Sequence, residues 1–255
     1  MKETTKEGIP MKLTVLGCLG AYPYDGQGTT GYLLQSGGFS VLLDCGSTTL
    51  VQLEKIFDPL DLDAVILTHY HHDHIADLGV LQYYWQLHPE RDPEKILPIY
   101  GHTLDETHFQ ELTLPNVTKG VAYHETELLE FGPFSVTFMK TIHPVPCFAM
   151  RFVEKATGKV FVFTGDSGYL AGFTEFAKDC DLFLADTYLF QGNEHHQAHF
   201  TSLEAGTFAK DAQAKRLVLT HLPQFGDLKQ LQNEAQAAAG EIPVELAAVG
   251  KVFDM

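Results

Sequence analysis

Hydrophobic and polar positions in the first half of the chain alternate between strand-like runs and helical spacing. Apolar, β-prone residues fill three short segments, residues 12–17, 32–35 and 39–44, and Gly37-Gly38 predicts a hairpin turn between the last two. Residues 50–57 have the pattern of a helix. The start of the chain therefore predicts a group of short strands followed by a helix.

A short, fully apolar run at residues 64–67 predicts a strand that is buried on both faces. After this run, apolar residues from Ile75 to Trp85 recur at spacings of three, three and four residues. That spacing is typical of one face of an amphipathic helix. We expect this helix to end before His88-Pro89, because the residue before a proline disfavours helical geometry.

The second half of the chain repeats this arrangement of strands and helices. Thr201 and Glu204 have the spacing of a capping box, which predicts a helix over residues 202–211. Gly240 ends a second helix, predicted over residues 228–239. Further apolar runs predict strands at residues 134–141, 148–153, 160–164, 182–185 and 216–220.

The order of these elements predicts the fold class. Strands grouped in each half, with helices between and after them, indicate an α/β (α+β) fold in which two sheets pack face to face with helices outside. Neither a repeat nor a long linker divides the sequence, so we expect one domain over residues 11–255. Residues 1–10 are polar and are predicted to form a flexible N-terminal extension.

Composition and charge limit the partners of the chain. It has 255 residues, 45% of them hydrophobic, and a formal net charge of −16. This charge disfavours a whole tRNA as a partner, because nucleic-acid affinity comes largely from cationic contacts to phosphate. No apolar run reaches the roughly 20 residues that span a membrane, and the N-terminus has no signal-peptide pattern. We therefore expect a cytoplasmic protein with reduced cysteines, namely Cys18, Cys45, Cys147 and Cys180.

The most informative segment is His69-Tyr70-His71-His72-Asp73-His74, just after the predicted strand at residues 64–67. His69 and His71 are two residues apart, so their imidazoles point the same way from an extended backbone and can bind one ion. Asp73 and His74 fall where the next helix begins, and the turn directs them to a second ion. The segment predicts a two-metal hydrolytic site, in which paired ions stabilise both the attacking and the leaving oxygen.

This His-x-His-x-Asp-His motif resembles the signature of the metallo-β-lactamase superfamily, and the resemblance extends over nearly the whole chain from Met11 onward. It implies a four-layer αββα sandwich with the metal site along one edge. Matching positions that follow predicted strands imply three further ligands, His143, Asp166 and His221. The implied ligand sets are His69, His71 and His143 for one ion and Asp73, His74 and His221 for the other, with Asp166 and a hydroxide as bridges. Two divalent ions are expected, zinc first and manganese or iron as alternatives.

A second pair of motifs resembles those of the RNase Z-like hydrolases in this superfamily. His199-Phe200-Thr201 matches their His-x-Ser/Thr motif, and Asp186 lies in a segment similar to their Glu-Ala-Thr/Ser motif, with aspartate for glutamate. His199 is predicted to protonate the leaving oxygen or to stabilise phosphoryl charge, and Asp186 to orient its ring. Asp73 is predicted to orient the attacking hydroxide as well as to bind a metal ion.

These motifs predict a phosphodiesterase that uses a hydroxide held by two metal ions on a small phosphodiester, a cyclic phosphate or a short nucleic acid. Superfamily members that act on β-lactams commonly have cysteine at the position of Asp166, so aspartate favours hydrolysis of a phosphoester or thioester over opening of a lactam. A lactonase or thioesterase on the same scaffold and a tRNA 3′-processing endonuclease are the alternatives. A non-catalytic metal-binding protein is least favoured, because every ligand position is filled.

Several further residues have more than one interpretation. The aromatic stretch at residues 83–85 is interpreted as helix core, with a homodimer interface as the alternative. His195 and His196 are placed near the mouth of the site without an assigned role. His102 and His108 are interpreted as ordinary polar histidines.

Overall fold

Two seven-stranded β-sheets form the centre of the protein, and a computed structural model describes residues 10–255. The strands of the first sheet are β1 (Lys12–Gly17), β2 (Gly31–Ser36), β3 (Phe39–Cys45), β4 (Ala64–Ile66), β5 (Leu97–His102), β6 (Thr118–Tyr123) and β14 (Val252–Asp254). Their order is β14-β1-β2-β3-β4-β5-β6. Pairing is antiparallel from β14 to β3 and parallel from β3 to β6, so the carboxyl ends of β3 to β6 share one edge.

The second sheet has a matching arrangement. Its strands are β7 (Leu129–Phe131), β8 (Phe134–Lys140), β9 (Phe148–Glu154), β10 (Val160–Phe163), β11 (Leu182–Asp186), β12 (Leu217–Thr220) and β13 (Val244–Leu246). The order is β13-β12-β11-β10-β9-β8-β7. β7 to β10 pair antiparallel, whereas β10 to β13 are parallel and end at one edge.

Helices cover the outer face of each sheet. Those on the first sheet are α1 (Thr49–Glu54), α2 (His72–Ile75), α3 (Leu78–Leu87) and α4 (Glu106–Glu111), with a 3₁₀ helix at Pro59–Asp61. Those on the second sheet are α5 (Phe173–Phe176), α6 (Ser202–Asp211) and α7 (Leu228–Ala239). The predicted capping box of α6 is confirmed, with Thr201 and Glu204 each bonding the other's backbone N–H.

Successive residues of a strand point to opposite faces of the sheet. The buried side chains therefore form a central core between the two sheets and an outer core between each sheet and its helices. Leu13 and Val15 of β1 pack between the two sheets, whereas Leu16 packs in the outer core beneath the helices. Phe161 and Val162 of β10 divide in the same way between the central core and the outer core of the second sheet. The protein is therefore a four-layer αββα sandwich, and the predicted fold class is confirmed.

Differences from the predicted elements have local causes. β5 and β6 were not predicted, and they contain Pro98 and Gly120, two residue types that are depleted in strands. The aromatic stretch at residues 83–85 divides between core and surface. Trp85 is fully buried and its Nε1 donates to the Pro59 carbonyl over 3.0 Å, whereas Tyr83 is 62% exposed. The interpretation as helix core is thus right for Trp85 and wrong for Tyr83.

The predicted N-terminal extension, residues 1–10, lies outside the described residues apart from Pro10, and the single-domain assignment stays a prediction. Between residues 10 and 255, no helix combines the length and the apolar character that a membrane crossing requires.

Candidate metal centre

Functional side chains from both sheets meet where the parallel strands end. Asp44 lies near the end of β3, and His69 follows β4. In the second sheet, Asp166 follows β10, Asp186 ends β11 and His221 follows β12. The carboxyl ends of parallel strands form one edge, which is where open α/β sheets bind their ligands. The strand order therefore explains how residues far apart in sequence form one site.

A first cluster of possible ligand atoms contains two histidines of the motif and two residues of the second sheet. All four ligand atoms lie within 4.8 Å of one another, in His69, His71, His143 and Asp166. Nδ1 of His71 lies 3.0 Å from Nε2 of His143, and Nε2 of His69 lies 3.8 Å from Oδ2 of Asp166. The structure brings together the set that the resemblance implies for one ion.

A second cluster shares Asp166 with the first. Its ligand atoms also lie within 4.8 Å of one another, in Asp73, His74, Asp166 and His221. Nε2 of His221 lies 3.1 Å from Oδ2 of Asp73 and 3.2 Å from Oδ2 of Asp166, and Nε2 of His74 lies 3.2 Å from Oδ1 of Asp166. All seven predicted ligands are therefore in place, with Asp166 between the two clusters. Their roles as ligands stay a prediction.

The donor atoms fit a pair of cations. Ligand atoms about 2.1 Å from a tetrahedral zinc ion lie roughly 3.4 Å from one another, and the 3.0 Å between His71 and His143 is close to that. Nε2 of His69, Nε2 of His74 and Oδ1 of Asp166 are buried and make no hydrogen bond. Because a buried polar atom without a partner is unfavourable, cations would satisfy atoms that the protein leaves unpaired. The cluster could thus hold metal ions.

Hydrogen bonds on the side away from the first cluster determine which ring nitrogen of His69 and of His143 faces the other ligand atoms. The hydroxyl of Thr68 donates to Asp44 over 2.8 Å, so it accepts from Nδ1–H of His69 over 3.0 Å. Nδ1–H of His143 donates to the carbonyl oxygen of Ala198 over 3.1 Å. Both rings are left with Nε2 as the free lone pair. Such outer partners orient ligating histidines and set their tautomer.

Asp44 contacts the second cluster through His74 and was not predicted from the sequence. It is fully buried, and Oδ2 lies 2.7 Å from Nδ1 of His74, while the backbone N–H of Thr68 donates to Oδ1 over 2.7 Å. Burial raises the pKa of Asp44, and the charge of His74 opposes that rise. The available signal was a carboxylate closing an apolar strand, the same pattern that marks Asp166 and Asp186. Asp44 orients His74 from behind.

Charge in the cluster favours bound cations. Burial lowers the pKa of His69 well below its usual value, which keeps that ring neutral and able to coordinate. Burial also acts to lower the pKa of His221, but the neighbouring Asp166 and Asp186 raise it to about 10. The negative charges of Asp166 and Asp186 therefore favour a positive charge near the side-chain nitrogens of the clusters. A divalent ion would supply that charge in place of a proton.

Asp186 connects His199 with His221. Its Oδ2 lies 3.0 Å from Nδ1 of His199 and accepts the backbone N–H of Ser167 over 3.1 Å, while Oδ1 lies 3.4 Å from Nδ1 of His221. The rings of His199 and His221 stack, with centroids 5.0 Å apart. The ring of His196 stacks on His199 in turn, at 5.9 Å. The predicted contact between Asp186 and His199 is thus present, and His196 lies beside the site.

A cavity of about 220 Å³ opens over these groups. Besides metal-ligand candidates, it is lined by Ala21, Pro144, Tyr188, Ala198 and His199. The backbone N–H of Ala21 donates to Oδ2 of Asp73 over 2.7 Å, which ties the loop between β1 and β2 to the site. The cavity gives a small substrate access to both clusters at once.

Comparisons with known proteins agree with this geometry. A family model for the metallo-β-lactamase superfamily matches residues 24–221. The probable metallo-hydrolase YhfI of Bacillus subtilis is 46% identical over 237 residues, which cover 92% of this chain and 96% of YhfI. The crystal structure of YhfI superposes with a TM-score of 0.91, covering 96% of this chain and 99% of that one at 44% identity.

More distant relatives include enzymes named for RNA processing. Ribonuclease Z of Streptomyces coelicolor is 26% identical over 288 residues, covering 91% of this chain and 94% of the relative. The short form of human tRNase Z superposes with a TM-score of 0.74 at 25% identity, covering 96% and 99% of the two chains. Together with the motif, the fold and the ligand clusters, these matches show that the chain belongs to the metallo-β-lactamase superfamily.

Proposed function

We propose that the protein is a metal-dependent phosphodiesterase that hydrolyses a small phosphodiester, a cyclic phosphate or a short nucleic acid. His69, His71 and His143 would hold one divalent ion, and a second set, Asp73, His74 and His221, would hold the other, with Asp166 between them. Bound ions of this kind lower the pKa of water and offset phosphoryl charge. Zinc is proposed as the metal, with manganese or iron as alternatives.

The observation that carries the proposal is the contact between Asp186 and His199. Because Nδ1–H of His199 donates to Asp186 over 3.0 Å, Nε2 is left for a substrate atom, and the ring lines the cavity beside the ligands. Hydrolysis of a phosphodiester expels an alkoxide, which needs a proton, whereas a thioester expels a thiolate that does not. A positioned His199 therefore favours an oxygen leaving group. It has no evident use in thioester hydrolysis.

Asp73 is suited to orient the attacking water. Burial acts to raise its pKa, but the hydrogen bond from His221 and the charge of His74 hold the pKa below its usual range. The side chain therefore stays ionised and accepts hydrogen bonds. Its Oδ2 already accepts from Ala21, so the carboxylate is held in one orientation at the cavity wall.

Size and charge favour a small substrate. The cavity of about 220 Å³ is smaller than the roughly 300–1,000 Å³ of pockets for drug-sized ligands. The net charge of −16 disfavours a whole tRNA, although relatives named ribonuclease Z support a phosphodiester as the reacting group. A cytoplasmic location and a homodimer stay predictions.

A substrate panel tests the proposal. Zinc-loaded protein is assayed on bis-p-nitrophenyl phosphate, cyclic nucleotides, lactones and thioesters, and phosphodiesters should give the highest kcat/KM. His199→Ala should lower kcat on cyclic nucleotides, which expel an alkoxide, by about a hundredfold or more. The effect on bis-p-nitrophenyl phosphate should be smaller, because p-nitrophenolate leaves without a proton, and the metal content should be unchanged by elemental analysis. His124→Ala, which changes an exposed histidine, is the matched control. Preferred lactone or thioester turnover, or an unaffected His199→Ala variant, would refute the proposal. No turnover with both ions bound would favour a non-catalytic protein.

A further inference from the structure

Three exposed aromatic rings lie together beside the cavity over the metal centre, and we call them the aromatic rim. Tyr22 and Tyr24 belong to the loop between β1 and β2 and are 44% and 46% exposed. Phe225 follows β12 and is 65% exposed. The rings of Tyr24 and Phe225 are in contact, with centroids 5.1 Å apart. Apolar groups that are exposed together commonly mark a binding surface, so the rim is a candidate for substrate recognition.

Hydrogen bonds tie the rim to the wall of the cavity. The side-chain amide of Gln224 donates to the backbone carbonyl of Tyr22 over 2.9 Å. The side-chain oxygen of Gln224 accepts from the hydroxyl of Tyr188, a residue of the cavity wall, over 3.4 Å. Ala21, the residue before Tyr22, also lines the cavity and donates to Asp73. The rim is therefore adjacent to the reacting centre, and a group attached to a bound phosphate can reach it.

The backbone that carries Tyr24 forms a tight turn. The N–H of Tyr24 donates to the Gln27 carbonyl over 3.1 Å, and the reverse hydrogen bond spans 2.9 Å. Between these two residues, Asp25 and Gly26 have φ of 47° and 75°. Two central residues with positive φ are typical of a type I′ turn, in which aspartate followed by glycine is favoured. Because this turn holds Tyr24 in place, little conformational entropy is lost when a ligand contacts its ring.

Charge and ring geometry select the class of ligand. Neither segment of the rim, residues 19–28 or 222–227, contains lysine or arginine, and each contains one aspartate, Asp25 or Asp227. The whole chain has a net charge of −16, so its surface attracts cations and repels anions. The faces of aromatic rings also bind cations, quaternary ammonium groups in particular. The two contacting rings are tilted by 59°, so they cannot both stack on one flat base, whereas a round ammonium group can contact both.

We propose that the aromatic rim binds a substituted ammonium group, such as that of a choline ester, on a phosphodiester whose phosphorus lies at the metal centre. The proposal rests on the proposed phosphodiesterase function and adds the substrate class to it. Such a substrate is a zwitterion, so its positive end offsets the repulsion between its phosphate and the acidic surface. Tyr24 and Phe225 would act as specificity residues and would take no part in bond cleavage.

Two substrates of the same shape and leaving group test the assignment. The choline ester, p-nitrophenyl phosphorylcholine, carries a trimethylammonium group, and p-nitrophenyl 3,3-dimethylbutyl phosphate carries a neutral tert-butyl group in its place. Zinc-loaded wild type should hydrolyse the choline ester with a kcat/KM about tenfold higher, mainly through KM. The double variant Tyr24→Leu and Phe225→Leu keeps apolar side chains but removes both ring faces, and it should reduce the preference to within about twofold. Tyr83→Leu, which changes an exposed tyrosine of α3, is the matched control and should keep the preference.

Binding of the products gives a readout that does not need turnover. In ligand-observed NMR on zinc-loaded protein, wild type should prefer phosphorylcholine over 3,3-dimethylbutyl phosphate, and the double variant should lose this preference. That result supports the rim even if no phosphodiester is hydrolysed, in which case only the proposed function fails. Equal turnover of the two esters by wild type, or an unchanged preference in the double variant, would overturn the ammonium assignment and leave the proposed function standing. Faster turnover of the p-nitrophenyl ester of thymidine 5′-monophosphate than of the choline ester would also overturn it, in favour of a flat base.

Discussion

Replacing Asp44 with asparagine should weaken the binding of one metal ion without unfolding the protein. Asp44 has a φ of 53°, a left-handed conformation that asparagine tolerates better than most residues. The substitution therefore changes hydrogen bonding and charge with little backbone strain. In the wild type, the Thr68 hydroxyl and Nδ1–H of His74 both donate to Oδ2 of Asp44, over 2.8 and 2.7 Å. An amide has one acceptor oxygen and one donor group, so in either orientation its NH₂ group opposes a donor, either the Thr68 hydroxyl and His74 at Oδ2 or the backbone N–H of Thr68 at Oδ1.

The substitution mainly affects the hydrogen bonding and protonation of His74. With the amide oxygen toward His74, Nδ1–H keeps an acceptor but loses the charge of the carboxylate. With the NH₂ group toward His74, Nδ1 must lose its proton to accept from the amide, and the proton then resides on Nε2, the atom that faces Asp166 at 3.2 Å. That tautomer cannot coordinate a metal ion. Loss of an outer partner of a ligating histidine typically lowers metal affinity about 10–100-fold, which corresponds to about 1.4–2.7 kcal/mol. The ion held by the second cluster should show this loss.

Metal-binding titrations measure the effect. Apo-protein is titrated with zinc against a competing chelator, and circular dichroism confirms that Asp44→Asn remains folded. Asp63→Asn is the matched control, because its Oδ2 accepts the backbone N–H of Ser40 over 2.8 Å and has no other hydrogen bond within residues 10–255, away from the clusters. If Asp44→Asn binds both ions with wild-type affinity, the inferred role of Asp44 in orienting His74 is wrong.

Three further perturbations have defined outcomes. A Cβ at Gly20 would lie 2.6 Å from Cε1 of His221, so Gly20→Ala should displace that ring and reduce the zinc retained after dialysis, measured by elemental analysis. Burial acts to raise the pKa of Asp181, but hydrogen bonds from Lys215 and Lys159 hold that pKa below its usual value. The ionised carboxylate therefore stabilises the folded protein above about pH 4, and this contribution disappears as pH falls. Asp181→Asn should therefore lower the thermal midpoint at about pH 7, by an amount that shrinks as pH falls through the lowered pKa of Asp181. Chelation of the metal should lower the midpoint, and zinc at about a hundredfold excess over Kd should restore about 2.7 kcal/mol per site.

The residues of the two clusters could be predicted because their signal is local. His69 and His71 share one extended segment, and His143, Asp166 and His221 each follow an apolar run that is recognisable as a strand. Their convergence was implied by family resemblance, and the parallel strand order explains it physically. His69 and His71 precede the short helix α2, and Asp73 and His74 lie in its first turn, where the sequence placed the start of a helix.

The contacts of Asp44 and the burial of His102 could not be predicted, because both depend on contacts between strands. Asp44 reaches Thr68 only because β3 and β4 run parallel with Leu43 opposite Ile66. His102 ends β5, a strand whose apolar pattern is interrupted by Pro98, so its burial has no local signature. Register and burial at a sheet edge are properties of the assembled sheet.

The outer hydrogen bonds also predict which ion binds more tightly. Behind the second cluster lie two carboxylates, with Asp44 against His74 and Asp186 at 3.4 Å from Nδ1 of His221. Behind the first cluster, the partners are neutral: His69 contacts the Thr68 hydroxyl and the Cys147 thiol, and His143 bonds a backbone carbonyl. Since added negative charge strengthens cation binding at short range, the second cluster should bind zinc first.

Two single-ligand variants separate the sites. His71→Ala removes a ligand of the first cluster only, and the apo-protein should keep the tighter of the two zinc affinities. His74→Ala removes a ligand of the second cluster only and should lose that affinity, leaving the weaker one. If His71→Ala instead loses the higher-affinity zinc site, the charge of Asp44 and Asp186 does not set the order of binding. Coordination geometry would then matter more than the charge of residues outside the clusters.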